Sequence, residues 1–142
     1  MLLDNKNLLK GARMMLIVER QLSRELLVSA LKQVGAGPTT HGPAHEMLQR
    51  VGEFKPDIIF CEFAMEPLDG MACVTHLREN KIAAPVVMLV HNSDGAALAR
   101  CKAAQIQKII PIPFAVADVV SMVGKIVNSE PEPRRRELYF GD

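Results

Sequence analysis

The chain has 142 residues with 17 Lys and Arg against 16 Asp and Glu, a net charge of +1, which is enough length for one full-sized domain and too little for two. So even a balance excludes a global pull toward nucleic acid or an anionic membrane, and any electrostatic partner has to be met by a local patch. The three cysteines, Cys61, Cys73 and Cys101, are odd in number, widely spaced and set in apolar runs, the pattern of reduced buried thiols in a cytoplasmic protein. No apolar run reaches membrane-spanning length and charges interrupt the first leucines, so neither a transmembrane helix nor a signal peptide is expected.

Residues 1–12 carry Leu2, Leu3, Leu8 and Leu9 among polar residues, a leader or short amphipathic helix ahead of the domain. Residues 14–18, MMLIV, form a continuous apolar run that predicts a strand buried on both faces, and it ends in Glu19 and Arg20. Leu22, Leu26, Leu27, Ala30, Leu31 and Val34 then recur at helical spacing until Gly35 and Gly37 stop them. The segment 38–42, PTTHG, has little apolar content and reads as a short edge strand; residues 45–51 predict a short helix closed by Gly52. An apolar strand at 58–61, a helix over 70–80, a strand over 85–90, a helix from Ser93 or Asp94 to about 104, a strand over 108–111 and a helix over 115–127 complete the chain. Strands alternating with helices imply right-handed crossovers and a flavodoxin-like α/β fold, (βα)5, with a doubly wound five-stranded parallel sheet in the order 2-1-3-4-5.

The stretch 56–70, PDIIFCEFAMEPLDG, organises the rest. It runs from a buried strand to the isolated acid Glu62 and turns through Asp69 and Gly70 into a helix, and the carboxyl end of such a strand is where open α/β sheets place their chemistry. The stretch resembles the receiver domain of bacterial response regulators, whose central strand and loop read Pro-Asp, an apolar run, the phospho-accepting Asp, two or three residues, Met-Pro, Asp-Gly. The fifteen positions align without a gap, and PVVML and IPIPF follow in order, so the resemblance covers about residues 13–127, with 1–12 a leader and 128–142 a tail.

The resemblance implies five working groups at the cleft: two acids after the first strand and the acceptor Asp for Mg²⁺, and a Ser or Thr and a Lys for the phosphoryl oxygens. The corresponding positions here are Glu19, Arg20, Glu62, Val90 and Ile112, while Pro113, Asp69 and Gly70 retain the family's surroundings. Arginine at a metal site repels the metal and cannot lose its charge, so the expectation is a degenerate pseudo-receiver with no metal, no cofactor and no enzymatic activity. Arg20 is placed to pair with Glu62 or with Glu19. The switch aromatic expected on the fifth strand is replaced by Ile109, which predicts a constitutive binding surface on the helix 4, strand 5 and helix 5 face, with a homodimer through that face as one use of it.

Other signals carry less. His41 and His45 have metal-ligand spacing without a completing constellation, His91 lies at a strand end without a nucleophile and orienting acid, and no Gly-rich phosphate loop is present. The tail NSEPEPRRRELYFGD, with Arg134, Arg135, Arg136, Leu138, Tyr139 and Phe140, is expected to be extended and to offer a docking peptide. The expected function is an adaptor or decoy that binds a histidine kinase, a phosphotransfer protein or another response regulator, with no nucleic acid or membrane partner. Two further readings are a sensor of an anionic small molecule such as a cyclic nucleotide, held through the arginine tail, and an atypical phospho-acceptor using Glu62.

Overall fold

Short β-branched and apolar runs separated by amphipathic segments leave the backbone one economical arrangement, strands side by side with helices on both faces. The computed structural model describes residues 8–129, in the order β1 (Met14–Ile17), α1 (Gln21–Gln33), β2 (Thr39–Gly42), α2 (Ala44–Phe54), β3 (Ile58–Glu62), α3 (Gly70–Glu79), β4 (Val86–His91), α4 (Gly95–Ala103), β5 (Ile109–Ile112) and α5 (Val116–Ser129). All four pairings are parallel and the strand order is β2-β1-β3-β4-β5, the doubly wound sheet expected from the sequence.

Strand periodicity decides which helical layer each residue meets, because successive side chains point to opposite faces. Met14, Leu16, Ile58, Phe60, Val87 and Leu89 pack with Leu27 and Leu31 of α1 and Val119 and Val123 of α5. Met15, Ile17, Ile59, Cys61, Val86 and Met88 pack on the other side with Met47, Cys73, Leu77 and Cys101 of the three remaining helices. Each fully buried Leu, Ile, Met or Phe contributes about 1.5–3 kcal/mol, so both layers are needed to hold the sheet. Glu62 continues the alternation of Ile58 and Phe60 and lies on the α1 and α5 side.

The polar segment Thr39–Gly42 does form an edge strand, its residues alternating between exposed and half-buried. The helices differ modestly from expectation: α2 runs on through Gly52 to Phe54, because Gly52 faces open space and the stop comes from Lys55 in the left-handed conformation. Leu22, counted above with the apolar stripe of α1, is 72% exposed. Residues 8–12 are tied down: Leu9 is fully buried, and its N–H and that of Gly11 donate to the carbonyls of Val34 and Gly35 at 2.7 and 3.2 Å. Gly37 is required there, since a Cβ would lie 2.6 Å from the Gly11 carbonyl oxygen.

Candidate functional site

Parallel pairing brings the carboxyl ends of β1, β3, β4 and β5 to one edge. Glu62, the last residue of β3, is buried there, its side chain 3% exposed. Its Oε1 accepts hydrogen bonds from the backbone N–H groups of Glu19 at 2.6 Å and Arg20 at 3.2 Å. The Arg20 Nε lies 3.5 Å from Oε2, with the Arg20 side chain 59% exposed. Arg20 is also the residue that opens α1, and it provides no side-chain cap of its own. The Glu19 and Arg20 N–H groups lie just ahead of the first helical residue, Gln21, so the carboxylate of β3 fixes the turn that enters α1, where the helix dipole also favours negative charge. Of the two pairings open from sequence, Arg20 with Glu62 is the one formed; Glu19 takes part through its backbone and is otherwise exposed.

The remaining walls are largely apolar. Val90 is buried and Ile112 half-buried, and with Arg20, Glu62, Phe63, Ala64, Leu89, His91 and Asp94 they line a partly open cavity of about 20 Å³, room for about one water molecule. Pro113 follows Ile112 through a cis peptide bond, as Pro67 follows Glu66. Asp69 caps α3, its Oδ1 accepting from the Ala72 N–H at 2.9 Å. Gly70 is hemmed in, since a Cβ would lie 2.5 Å from Met88 Sδ and 2.8 Å from the Glu62 carbonyl oxygen, so the turn after β3 can pack against β4 only with glycine at this place. Thus the structure brings Arg20, Glu62, Val90 and Ile112 into one cleft, with Asp69, Gly70 and Pro113 supporting its loops. Arg134, Arg135, Arg136, Leu138, Tyr139 and Phe140 lie outside the described residues.

Two arrangements around the cleft have no sequence signature. Arg100 of α4 places its guanidinium 5.3 Å above the Phe63 ring and 3.4 Å from Asp69 Oδ2, tying α4 to the loop that follows Glu62. His91 accepts at Nδ1 from the Ser93 N–H at 3.4 Å and shares a 2.8 Å contact with the Ser93 hydroxyl, shaping the turn between β4 and α4. Arg100 and Asp69 are 31 residues apart, so only the crossover through β4 makes them neighbours. Beneath the cleft, Cys61 and Cys73 are buried. Hydrogen bonding between the two thiols, reinforced by burial, pushes the Cys61 pKa well above its usual value, and the same bond lowers that of Cys73; the Cys61 thiol also donates to the Glu62 carbonyl oxygen at 3.6 Å. Among the described residues no group of three or more His, Cys, Asp or Glu is placed to hold a metal ion, and no helix is long and apolar enough to cross a membrane.

A five-stranded parallel sheet with an acid at the end of its central strand and a cis-proline at the end of its last defines a class, and the comparison bears that out: the response regulator receiver domain family matches residues 14–124. The chain belongs to that family, whose members are signalling domains that meet kinases and other regulators of two-component systems. Among curated proteins it is similar to the Regulator of RpoS of Escherichia coli strain K12, at 25% identity over 132 residues, 93% of this chain and 35% of that protein; the chain thus spans about a third of that relative's length. Among solved structures, chemotaxis protein CheY4 of Vibrio cholerae superposes with a TM-score of 0.71 at 15% identity, covering 82% of this chain and 98% of that one. The receiver domain of the Francisella response regulator 1452 does so with 0.71 at 17% identity, covering 82% and 96%. At these identities the structural likeness speaks for the fold.

Proposed function

We propose that this chain is a pseudo-receiver, a receiver domain that does not accept a phosphoryl group and works as a protein–protein interaction module in two-component signalling. The observation that carries the reading is the closed contact of Glu62 with the backbone of Glu19 and Arg20 and with the Arg20 guanidinium. A phospho-accepting receiver needs a cation held by carboxylates at this place, because a hard divalent ion takes oxygen ligands and offsets the phosphoryl charge. Here one carboxylate oxygen is spent on two N–H donors and the other faces a fixed cation, so the donor set does not fit Mg²⁺. Val90 and Ile112 offer no hydroxyl and no ammonium to phosphoryl oxygens. The cleft is neutralised from within, and the protein's work falls to its outer surface as a cytoplasmic adaptor or decoy without enzymatic activity.

The surface best suited to that work is the α4, β5 and α5 face, where Leu98, Ile106 and Ile109 are half-buried and Pro111 is exposed. With no hydroxyl at Val90 and no switch aromatic at Ile109, this face has nothing to couple it to phosphate, and it stays in one binding-competent state toward a histidine kinase, a phosphotransfer protein or another response regulator. Two measurements test the reading. Incubation with a small phosphodonor and Mg²⁺ is expected to leave the protein unmodified, whereas incorporation that disappears in Glu62→Gln would overturn it in favour of an atypical acceptor. Capture of two-component proteins from the source cell is expected to be equal for the whole chain and for a version ending at Ser129. Retention that requires the tail and yields an anionic small molecule, such as a cyclic nucleotide, would replace the adaptor reading with a sensor.

A further inference from the structure

The near-neutral chain is strongly polar in space. At the amino-terminal end of the strands, the described loops and last helical turns carry Lys10, Lys32, Lys55, Lys81, Lys102 and Lys108, with Arg13 and Arg78, against only Glu53, Asp57 and Glu79. Five of the six lysines are exposed, and Arg13 and Arg78 are engaged with neighbouring backbone carbonyls. At the opposite end, around the cleft, Glu19, Glu46, Glu66, Asp69, Asp94 and Asp118 join Glu62 against Arg20, Arg24, the Arg50 that pairs with Glu46 and the Arg100 that reaches Asp69. Eight cations against three anions face seven anions against four cations.

The fold produces this segregation because every helix runs antiparallel to the strands, and each helix end favours the opposite charge by about half a unit. Five helices therefore offset about two and a half charges at each end, fewer than the five surplus cations at one end and the three surplus anions at the other. Each end is the complement of the other, and the small net charge sets up little repulsion between copies.

We propose that this end-to-end complementarity is a self-association surface: the lysine end of one copy docks on the acidic cleft end of a second copy, head to tail. A heterologous contact of this kind leaves a free end at each side and continues into an open series instead of closing as a dimer. The contact would cover the cleft mouth while leaving the α4, β5 and α5 face on the flank of every copy, so that one assembly presents many interaction faces. The proposal goes beyond the adaptor reading and does not depend on it.

The test is sedimentation and light scattering of the full chain between about 0.01 M and about 1 M salt, where the screening length falls from about 30 to about 3 Å. The expected result is a mean mass that rises past two copies with concentration at low salt and returns to the monomer at high salt. A second arm uses two charge-reversed proteins, Lys32→Glu with Lys102→Glu and Glu19→Lys with Glu66→Lys, each checked for an unchanged circular dichroism spectrum. Each alone is expected to stay monomeric at low salt, and mixing them is expected to restore assembly because opposite ends again meet. A monomer under all conditions, assembly that stops at a salt-insensitive dimer, or a mixture no heavier than its components would each overturn the proposal.

Discussion

Replacing Glu62 by Gln probes the contact on which the functional reading rests, and its cost can be worked from the geometry. The amide keeps one acceptor oxygen for the Glu19 and Arg20 N–H groups, at 2.6 and 3.2 Å in the native protein, and loses the charge. A hydrogen bond to a charged group contributes about 1.5–3 kcal/mol and a neutral one about 1, so two weakened bonds cost about 1–4 kcal/mol together. The Arg20 pair, at 3.5 Å, would be worth about 5 kcal/mol at an effective dielectric constant of about 20 and about 1 in water. Arg20 is 59% exposed, which places the pair near the lower figure. The total is about 2–5 kcal/mol of lost stability, read from urea unfolding at pH 7 with an unchanged slope. In a double-mutant cycle with Arg20→Ala, a coupling of about 1 kcal/mol or less is expected. A Glu62→Gln protein as stable as the native one would refute the claim that this carboxylate holds the turn into α1, and a coupling above about 3 kcal/mol would show that the guanidinium, not the backbone, holds it.

Three further outcomes follow from the same geometry. Gly70→Ala drives a Cβ to within 2.5 Å of Met88 Sδ and 2.8 Å of the Glu62 carbonyl oxygen, and thermal unfolding is expected to show a loss of about 1–3 kcal/mol; a neutral change would mean the turn can retreat. Asp69→Ala removes both the cap of α3 and the partner of Arg100, about 1 kcal/mol for the cap and at most about 1 for the exposed pair; made in an Arg100→Ala protein, where the ion pair is already gone, it is still expected to cost about 1 kcal/mol, and no further loss there would argue against the cap. The raised pKa of Cys61, due first to its hydrogen bond with Cys73 and then to burial, means that the folded state keeps a proton the unfolded chain releases above the ordinary value of 9.0. The same bond lowers the Cys73 pKa, so the two thiols act in opposite directions: Cys73 adds stability as pH rises toward about 9, and Cys61 withdraws it as pH rises beyond; urea midpoints between about pH 8 and about pH 10 check this, and a decline above about pH 9 just as steep in Cys61→Val would disprove the assignment to this thiol.

Much of this protein was legible in one dimension because its signals are local or periodic. Runs such as MMLIV and PVVML can be buried only as strands with a helical layer on each face, and alternation with helices then leaves a parallel sheet, so the fold, the strand order and the position of Glu62 at the end of β3 were open to sequence reading. The edge strand Thr39–Gly42 was legible only weakly, as polar residues between two helices. The sequence also placed Arg20 beside the cleft, but left its partner undecided between Glu19 and Glu62.

Tertiary structure made that choice. Parallel register sets Ile17 beside Cys61, which brings the carboxylate that follows Cys61 to the N–H groups leading into α1, and no spacing along the chain encodes a contact supplied from 42 residues away. For the same reason the tie of Arg100 to Asp69 and the exposure of Leu22 emerge only when helices are laid on the sheet. The separation of charge has the same origin: composition records a sum near zero, whereas the antiparallel course of every helix against its strand sends acids to one end of the molecule and lysines to the other.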